Sequence, residues 1–275
     1  MASAVSGLAF AIVLITLFAA LGANFITDFD PNKANPVDRF FEWGQEGHLL
    51  GTDQLGRDTF TRLIHGARLV WIVGLSVSLL AMTFGGVLGS LAGYIGGRVD
   101  GLIGRISDGV LAFPPLLLAL VMSAVIGPST RTAIIALSIV YTPLVVRVTR
   151  SAVLGERHLS YVSASRGLGN SEARTLLRHI LPNVVGSLFV VGSVVVSRAI
   201  IVEASLSFLG AGTQPPNPNW GVMIADAREL IFSRPGQLVL PGLVLSVTIL
   251  SLNLVSDALA DRIDPRYSSR RGEIR

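Results

Sequence analysis

Residues 69–95, LVWIVGLSVSLLAMTFGGVLGSLAGYI, carry no charged side chain. A helix of about 20 mostly apolar residues crosses the roughly 30 Å hydrocarbon layer of a bilayer, so this stretch predicts a membrane span. Working outward, further apolar runs lie at about 7–26, 108–127, 132–149, 183–205 and 238–258. The run at 132–149 is the weakest. Its clean apolar part, Thr132 to Val146, is short and holds Pro143, and it is kept because the polar segment behind it reads as cytoplasmic. The predicted fold class is an all-α integral membrane protein with six transmembrane helices. The predicted organisation is a first helix and external loop over 1–68, then a core of five helices over 69–275 with a cytoplasmic loop at 150–182.

Composition agrees. Of 275 residues, 51% are hydrophobic and 15% charged, against about 25% charge in an average soluble domain. Cysteine is absent, so no disulfide or thiolate site is available. His48, His65, His158 and His179 have no ligand spacing, and neither a metal nor a cofactor is expected. All basic residues except Lys33 are arginines, and many flank the apolar runs. Membrane proteins place their basic residues in this way, and the pattern gives no reason to expect nucleic acid. The first apolar run, Leu8 to Ile26, has no basic residue before it and exceeds the roughly 7–15 residues of a signal h-region, so it reads as a span.

Loop charge predicts orientation. The loops at 96–107, 150–182 and 259–275 hold Arg98 and Arg105, then Arg150, Arg157, Arg166, Arg174 and Arg178, then Arg262, Arg266, Arg270, Arg271 and Arg275. The alternate loops, 27–68, 128–131 and 206–237, offset eight basic residues with nine acids. Cytoplasmic loops carry the excess of Lys and Arg, which predicts both ends inside a cytoplasmic membrane. Within the second span Gly85, Gly89, Gly93 and Gly97 recur every four residues. Such a stripe admits close approach of another helix, either of this chain or of a partner. Pro114 and Pro115, early in the third run, predict a kink or a break that shapes a pore.

The polar segment 157–182, RHLSYVSASRGLGNSEARTLLRHILP, predicts helix, turn, helix. The first helix runs to about Leu168, and Gly169 suits a left-handed cap. Asn170 or Ser171 caps the second helix, with Glu172 in its first turn. Leu176, Leu177, Ile180 and Leu181 form an apolar stripe, Arg174 and Arg178 share another face, and Pro182 is expected to end the helix. The product is a short amphipathic elbow, which by itself suits either a lipid surface or a protein partner.

This segment resembles the Glu-Ala-Ala loop of importer permeases of the ATP-binding-cassette class. Ala164, Gly169, Leu181 and Pro182 match its spacing, while Ser163, Ser165 and His179 replace its Glu, Ala and Ile. His48 to Asp58 followed by Gly66-Ala67-Arg68, and Glu203 to Gly210 followed by Gln214-Pro215-Pro216 and Trp220-Gly221, resemble segments of the C-type permeases of dipeptide and oligopeptide importers. The resemblance implies the type I importer permease fold in a prokaryotic cytoplasmic membrane, with the elbow as coupling helix. It implies a second, B-type permease, two ATPase domains, an extracytoplasmic binding protein and the surrounding lipid as partners. Ser163, Ala164, Arg166, Leu168, Gly169, Arg174, Leu181 and Pro182 then become candidate contacts to the ATPase. Leu168 is the candidate knob for its cleft, and Arg166 and Arg174 are candidates to pair with its acids. The cargo implied is di- or oligopeptides, or alternatively glutathione, a metal or another chelate.

Lys33 lies in Pro-Asn-Lys-Ala-Asn, so no P-loop lysine exists, and ATP hydrolysis is expected on a partner. A proton-coupled secondary transporter would need repeats and carboxylates at membrane depth, and an intramembrane enzyme would need catalytic groups there. Few acids lie within the spans. Asp53 and Asp58 belong to a polar loop rather than to a catalytic pair. Arg198 and Glu203, five apart in the fifth run, are candidates to tether helices near the outer face or to line a pathway.

Overall fold

The computed structural model describes residues 2–263, with side chains from Val5 to Arg262. Arg266, Arg270, Arg271 and Arg275 of the basic tail lie outside the described residues.

The first helix, α1 (Ala2–Ile26), presents Leu8, Phe10, Ile15, Phe18 and Leu21 outward, as a lipid-facing helix does. The second, α2 (Thr59–Ile95), starts where Asp58 caps it, with a carboxylate oxygen 2.7 Å from the Thr61 N–H. It therefore begins ahead of residue 69, and the predicted division at 68 falls inside a helix. Gly96 and Gly97, with φ of +73° and +57°, end it.

The third predicted span is not one straight helix. It is α3 (Gly97–Leu111) and α4 (Pro115–Ile126), set at 85°. The cause is local. Pro114 and Pro115 donate no N–H, and a residue before proline is driven out of the helical region. Pro114 accordingly sits at φ −56°, ψ 132°, and Pro115 opens α4. Much of the predicted 96–107 loop is thereby helical. Arg150 and Arg147 of α5 (Thr130–Arg157) hold α3, reaching Asp100 at 2.6 Å and Asp108 at 2.6 Å.

Pro143 lies inside α5 without ending it. Past α5 come α6 (Ser160–Gly167), α7 (Glu172–Thr175), α8 (Leu181–Phe208), α9 (Trp220–Ala227) and α10 (Pro235–Ile263). Among the described residues, five helices are long and apolar enough to cross a membrane, and six if α3 and α4 count as one broken span.

The core is α2 packed along α5 and against α8, with Val73, Val77, Leu137, Val145 and Val195 fully buried. The glycine stripe sets the α2–α5 distance. A Cβ on Gly85 would stand 2.6 Å from the Val145 Cβ, one on Gly89 2.6 Å from the Val146 carbonyl oxygen, and one on Gly93 2.8 Å from that of Arg150. The stripe is thus filled by a helix of the same chain. Gly97 is outside it, with open space where a Cβ would go.

At one end of the bundle, the polar loop 27–58 and the segment after α8 lock together. Arg57 donates to Asp53 at 2.6 Å and reaches Asp226 at 3.3 Å. Buried Arg62 donates to the carbonyls of Pro31 (2.7 Å) and Pro216 (3.2 Å). The Trp220 indole donates to the Leu63 carbonyl at 2.9 Å and lies where a Cβ on Gly66 would go. His48 and the Thr61 N–H both bind Asp58. Asp53 and Asp58 are therefore structural anchors.

Candidate coupling site

The opposite end carries the elbow. α6 ends at Gly167 with Leu168 as its cap, and Gly169 turns the chain at φ +80°. The Ser171 hydroxyl accepts from the Arg174 N–H at 3.3 Å and caps α7, with Glu172 in its first turn. Both features match the sequence reading. Pro182 does not end the helix. The chain continues helically from Glu172 to Phe208 through a π turn, Leu176–Ile180, in which the Leu181 N–H bonds back to Leu176. Proline removes a donor and crowds the carbonyl one turn back, and a wider turn just ahead of it absorbs that strain.

The inner face of the elbow is built from Val162, Ile180 and Val184 over Tyr94 and Val153, all buried. Inside the turn, Ser165 and Thr175 hydroxyls lie 3.2 Å apart, and the Asn170 amide donates to Ser165 at 3.2 Å. Two tyrosines bolt the elbow down. The Tyr161 hydroxyl binds Glu156 of α5 and accepts from the Asn183 amide of α8 at 3.0 Å. The Tyr94 hydroxyl, from α2, binds Glu172 and accepts from Arg166 at 3.3 Å.

The outer face is free. Ser163, Ala164, Gly169 and Arg174 are exposed, and Leu168 is 84% exposed at the apex. Leu177 adds a second apolar patch, and Pro182 is exposed beside half-buried Leu181. Of the two candidate cations, Arg174 has no side-chain partner among the described residues. Arg166 is already engaged, by Tyr94 and by Glu172 at 3.3 Å. Tyr94 and Tyr161 escaped the sequence reading. Tyr94 stands near the end of the apolar run 69–95 and Tyr161 inside the polar segment 157–182, and neither position sets it apart.

Arg198 and Glu203 do not meet in a common site. Arg198 is exposed on α8, with no ion-pair partner among the described residues. Glu203 is 1% exposed and ringed by neutral donors. It accepts from Ser207 at 2.7 Å, from Thr213 at 3.0 Å and from the Asn219 amide at 3.0 and 3.1 Å. It thus staples the loop after α8, and the start of α9, onto α8.

Residues 85–269 match the family of binding-protein-dependent transport system inner membrane components. The chain is 41% identical to a di/tripeptide transport system permease protein of Pseudomonas aeruginosa, covering 97% of this chain and 89% of that one. It is 44% identical to the dipeptide transport system permease protein of Escherichia coli, over 96% and 89% of the two chains. A glutathione transport system permease protein of Pectobacterium atrosepticum is 37% identical, over 94% and 85%. In fold, the chain is similar to an inward-facing methionine ABC transporter, with a TM-score of 0.61 at 14% identity, over 74% of this chain and 96% of that one.

Proposed function

Because this chain belongs to the family of binding-protein-dependent transport system inner membrane components, as a permease of the ATP-binding-cassette type, we propose that it forms half of a peptide pathway and receives its drive at the elbow. The observation that carries the reading is the two-sided construction of the elbow. One face is bolted to the spans through Tyr94 and Tyr161, and the other offers Leu168 uncovered beside Arg174. An apolar side chain at the apex of a turn, flanked by a cation, suits a cleft on a cytoplasmic ATPase. Leu168 enters that cleft, Ser163, Ala164 and Gly169 let the surfaces close, and Arg174 meets acids at its rim. Leu181 and Pro182 carry the motion into α8.

ATP hydrolysis then resides on two partner ATPase domains. A second permease completes the pathway, and an extracytoplasmic binding protein delivers the cargo to the capped end of the bundle. The elbow side is the cytoplasmic side, as its arginines favour. Di- and tripeptides are the cargo read from the names of the Pseudomonas and Escherichia relatives, and glutathione, read from the Pectobacterium relative, is the alternative.

The test is affinity purification of the tagged chain after co-expression with its neighbouring subunits. ATPase and second permease should be recovered together. Leu168→Asp should lose the ATPase and keep the second permease. Retention of the ATPase by Leu168→Asp would remove the elbow from the contact. Uptake of labelled dipeptide against labelled glutathione into liposomes holding the complete complex separates the two cargoes.

A further inference from the structure

The elbow is attached to more than the two spans it joins in sequence. Tyr94 sits in the last turn of α2, 72 residues from Arg166 and 78 from Glu172. The residue is buried, 8% exposed, and packs among Val153, Val162, Ile180 and Val184. Its hydroxyl binds Arg166, at the end of α6, and Glu172, at the start of α7. One oxygen of α2 therefore touches the helices on both sides of the Gly169 turn. The Arg166 guanidinium adds a contact over the ring, 5.6 Å from its centre.

We propose that Tyr94 is a positioning residue which, clamped by Arg166 and Glu172, delivers movement of the elbow to α2 as well as to α5 and α8. This deepens the reading of the elbow as the ATPase contact and rests on it. It also reassigns Arg166, which faces Tyr94 instead of the partner. The charges alone do not explain the arrangement, because the Arg166 and Glu172 side chains are 36% and 66% exposed and exposed pairs contribute little. What they supply is direction for the one hydroxyl that α2 brings to the elbow. The consequence lies at the far end. α2 has 37 residues, roughly 55 Å at 1.5 Å per residue. Its start is welded into the opposite cap through Asp58, Arg62 and the Gly66–Trp220 contact. A rigid helix held at both ends carries a displacement from the elbow to the cap where cargo would arrive.

The experiment uses the complete complex with Tyr94→Phe, which keeps the ring and removes the hydroxyl, and with Glu172→Gln and Arg166→Gln. Three quantities are read: ATPase recovered with the permease, ATP hydrolysed per dipeptide taken up in liposomes, and hydrogen exchange of the 160–180 amides. Tyr94→Phe should leave recovery unchanged, speed exchange in the elbow and raise ATP per dipeptide by about 2- to 30-fold, the range for a residue within a coupling network. Glu172→Gln should do the same independently, and Arg166→Gln should add little on top of Tyr94→Phe. Arg166→Lys should recover part of the coupling. Unchanged exchange and unchanged ATP per dipeptide in Tyr94→Phe would overturn the proposal. So would loss of the ATPase in Arg166→Gln alone, which would place Arg166 at the partner. Leu168→Asp separates the layers. If it still recovers the ATPase, the docking surface is elsewhere, and exchange in the elbow still decides whether Tyr94 clamps it.

Discussion

Gly169 shows how much one residue decides. Its φ of +80° lies in the left-handed region, and open space surrounds the place where a Cβ would go. A side chain there is opposed by backbone strain alone, roughly 1–2 kcal/mol for an L-residue and less for asparagine. Gly169→Asn should therefore keep wild-type uptake, and Gly169→Val should lower ATPase recovery or uncouple hydrolysis from uptake. If valine is silent in both, the turn does not aim the knob. Glu203 presents the opposite case, a carboxylate that accepts four bonds and donates none. In Glu203→Gln the amide nitrogen must face donors, an unmet pairing that costs about 1–3 kcal/mol. The melting temperature of the purified complex should fall, while dipeptide selectivity stays. Gly169 was legible because a helical pattern stopped there and resumed behind a cap. The partners of Glu203 were not, since Ser207, Thr213 and Asn219 are ordinary polar residues that only tertiary folding brings to one carboxylate.

At the scale of the element, α2 and α3 respond oppositely to the same chemistry. Gly85 leaves no room beneath it, since a Cβ would meet Val145 at 2.6 Å and the Thr142 carbonyl oxygen at 2.9 Å. Gly85→Leu should part α2 from α5 and cut the yield of assembled complex severely. Gly101 of α3 has open space at that distance, and Gly101→Ala should be neutral or stabilising by about 0.4–1 kcal/mol through the unfolded chain. Equal yields from the two variants would mean that the α2–α5 contact yields more than its geometry implies. Four of the predicted spans were readable because long, predominantly apolar runs have no soluble alternative, and the short fourth was readable through the polar segment behind it. The third was read with a kink or a break at Pro114 and Pro115, and the structure has a break of 85°; what escaped the reading was α3, a helix over most of the predicted 96–107 loop. The elbow was readable through its caps, whereas its continuation past Pro182 was not, because a π turn leaves no mark in composition.

The crossing count is a property of the whole molecule, and the broken span decides it. The last turn of α2 sets Tyr94 against the elbow. α5 begins at Thr130, whose hydroxyl lies 3.1 Å from that of Thr213, in the cap held by Glu203. Between Ile95 and Thr130 the chain therefore travels from one end of the bundle to the other. α4 alone, with 12 residues, spans about 18 Å, short of the roughly 30 Å required. α3 and the extended Pro114 must supply the remainder, so the pair counts as one crossing and not as a re-entrant hairpin. The start of α1 and the end of α10 then fall on the elbow side. The chain has no cysteine, so single cysteines report on this directly. Lys33→Cys and Asn217→Cys, both exposed in the cap, should react in intact cells with a membrane-impermeant maleimide. Arg98→Cys, exposed beside the elbow, should react only after permeabilisation. Labelling of Arg98→Cys from outside would invert the molecule, placing the elbow where no ATPase can reach it and leaving the bundle without its source of energy.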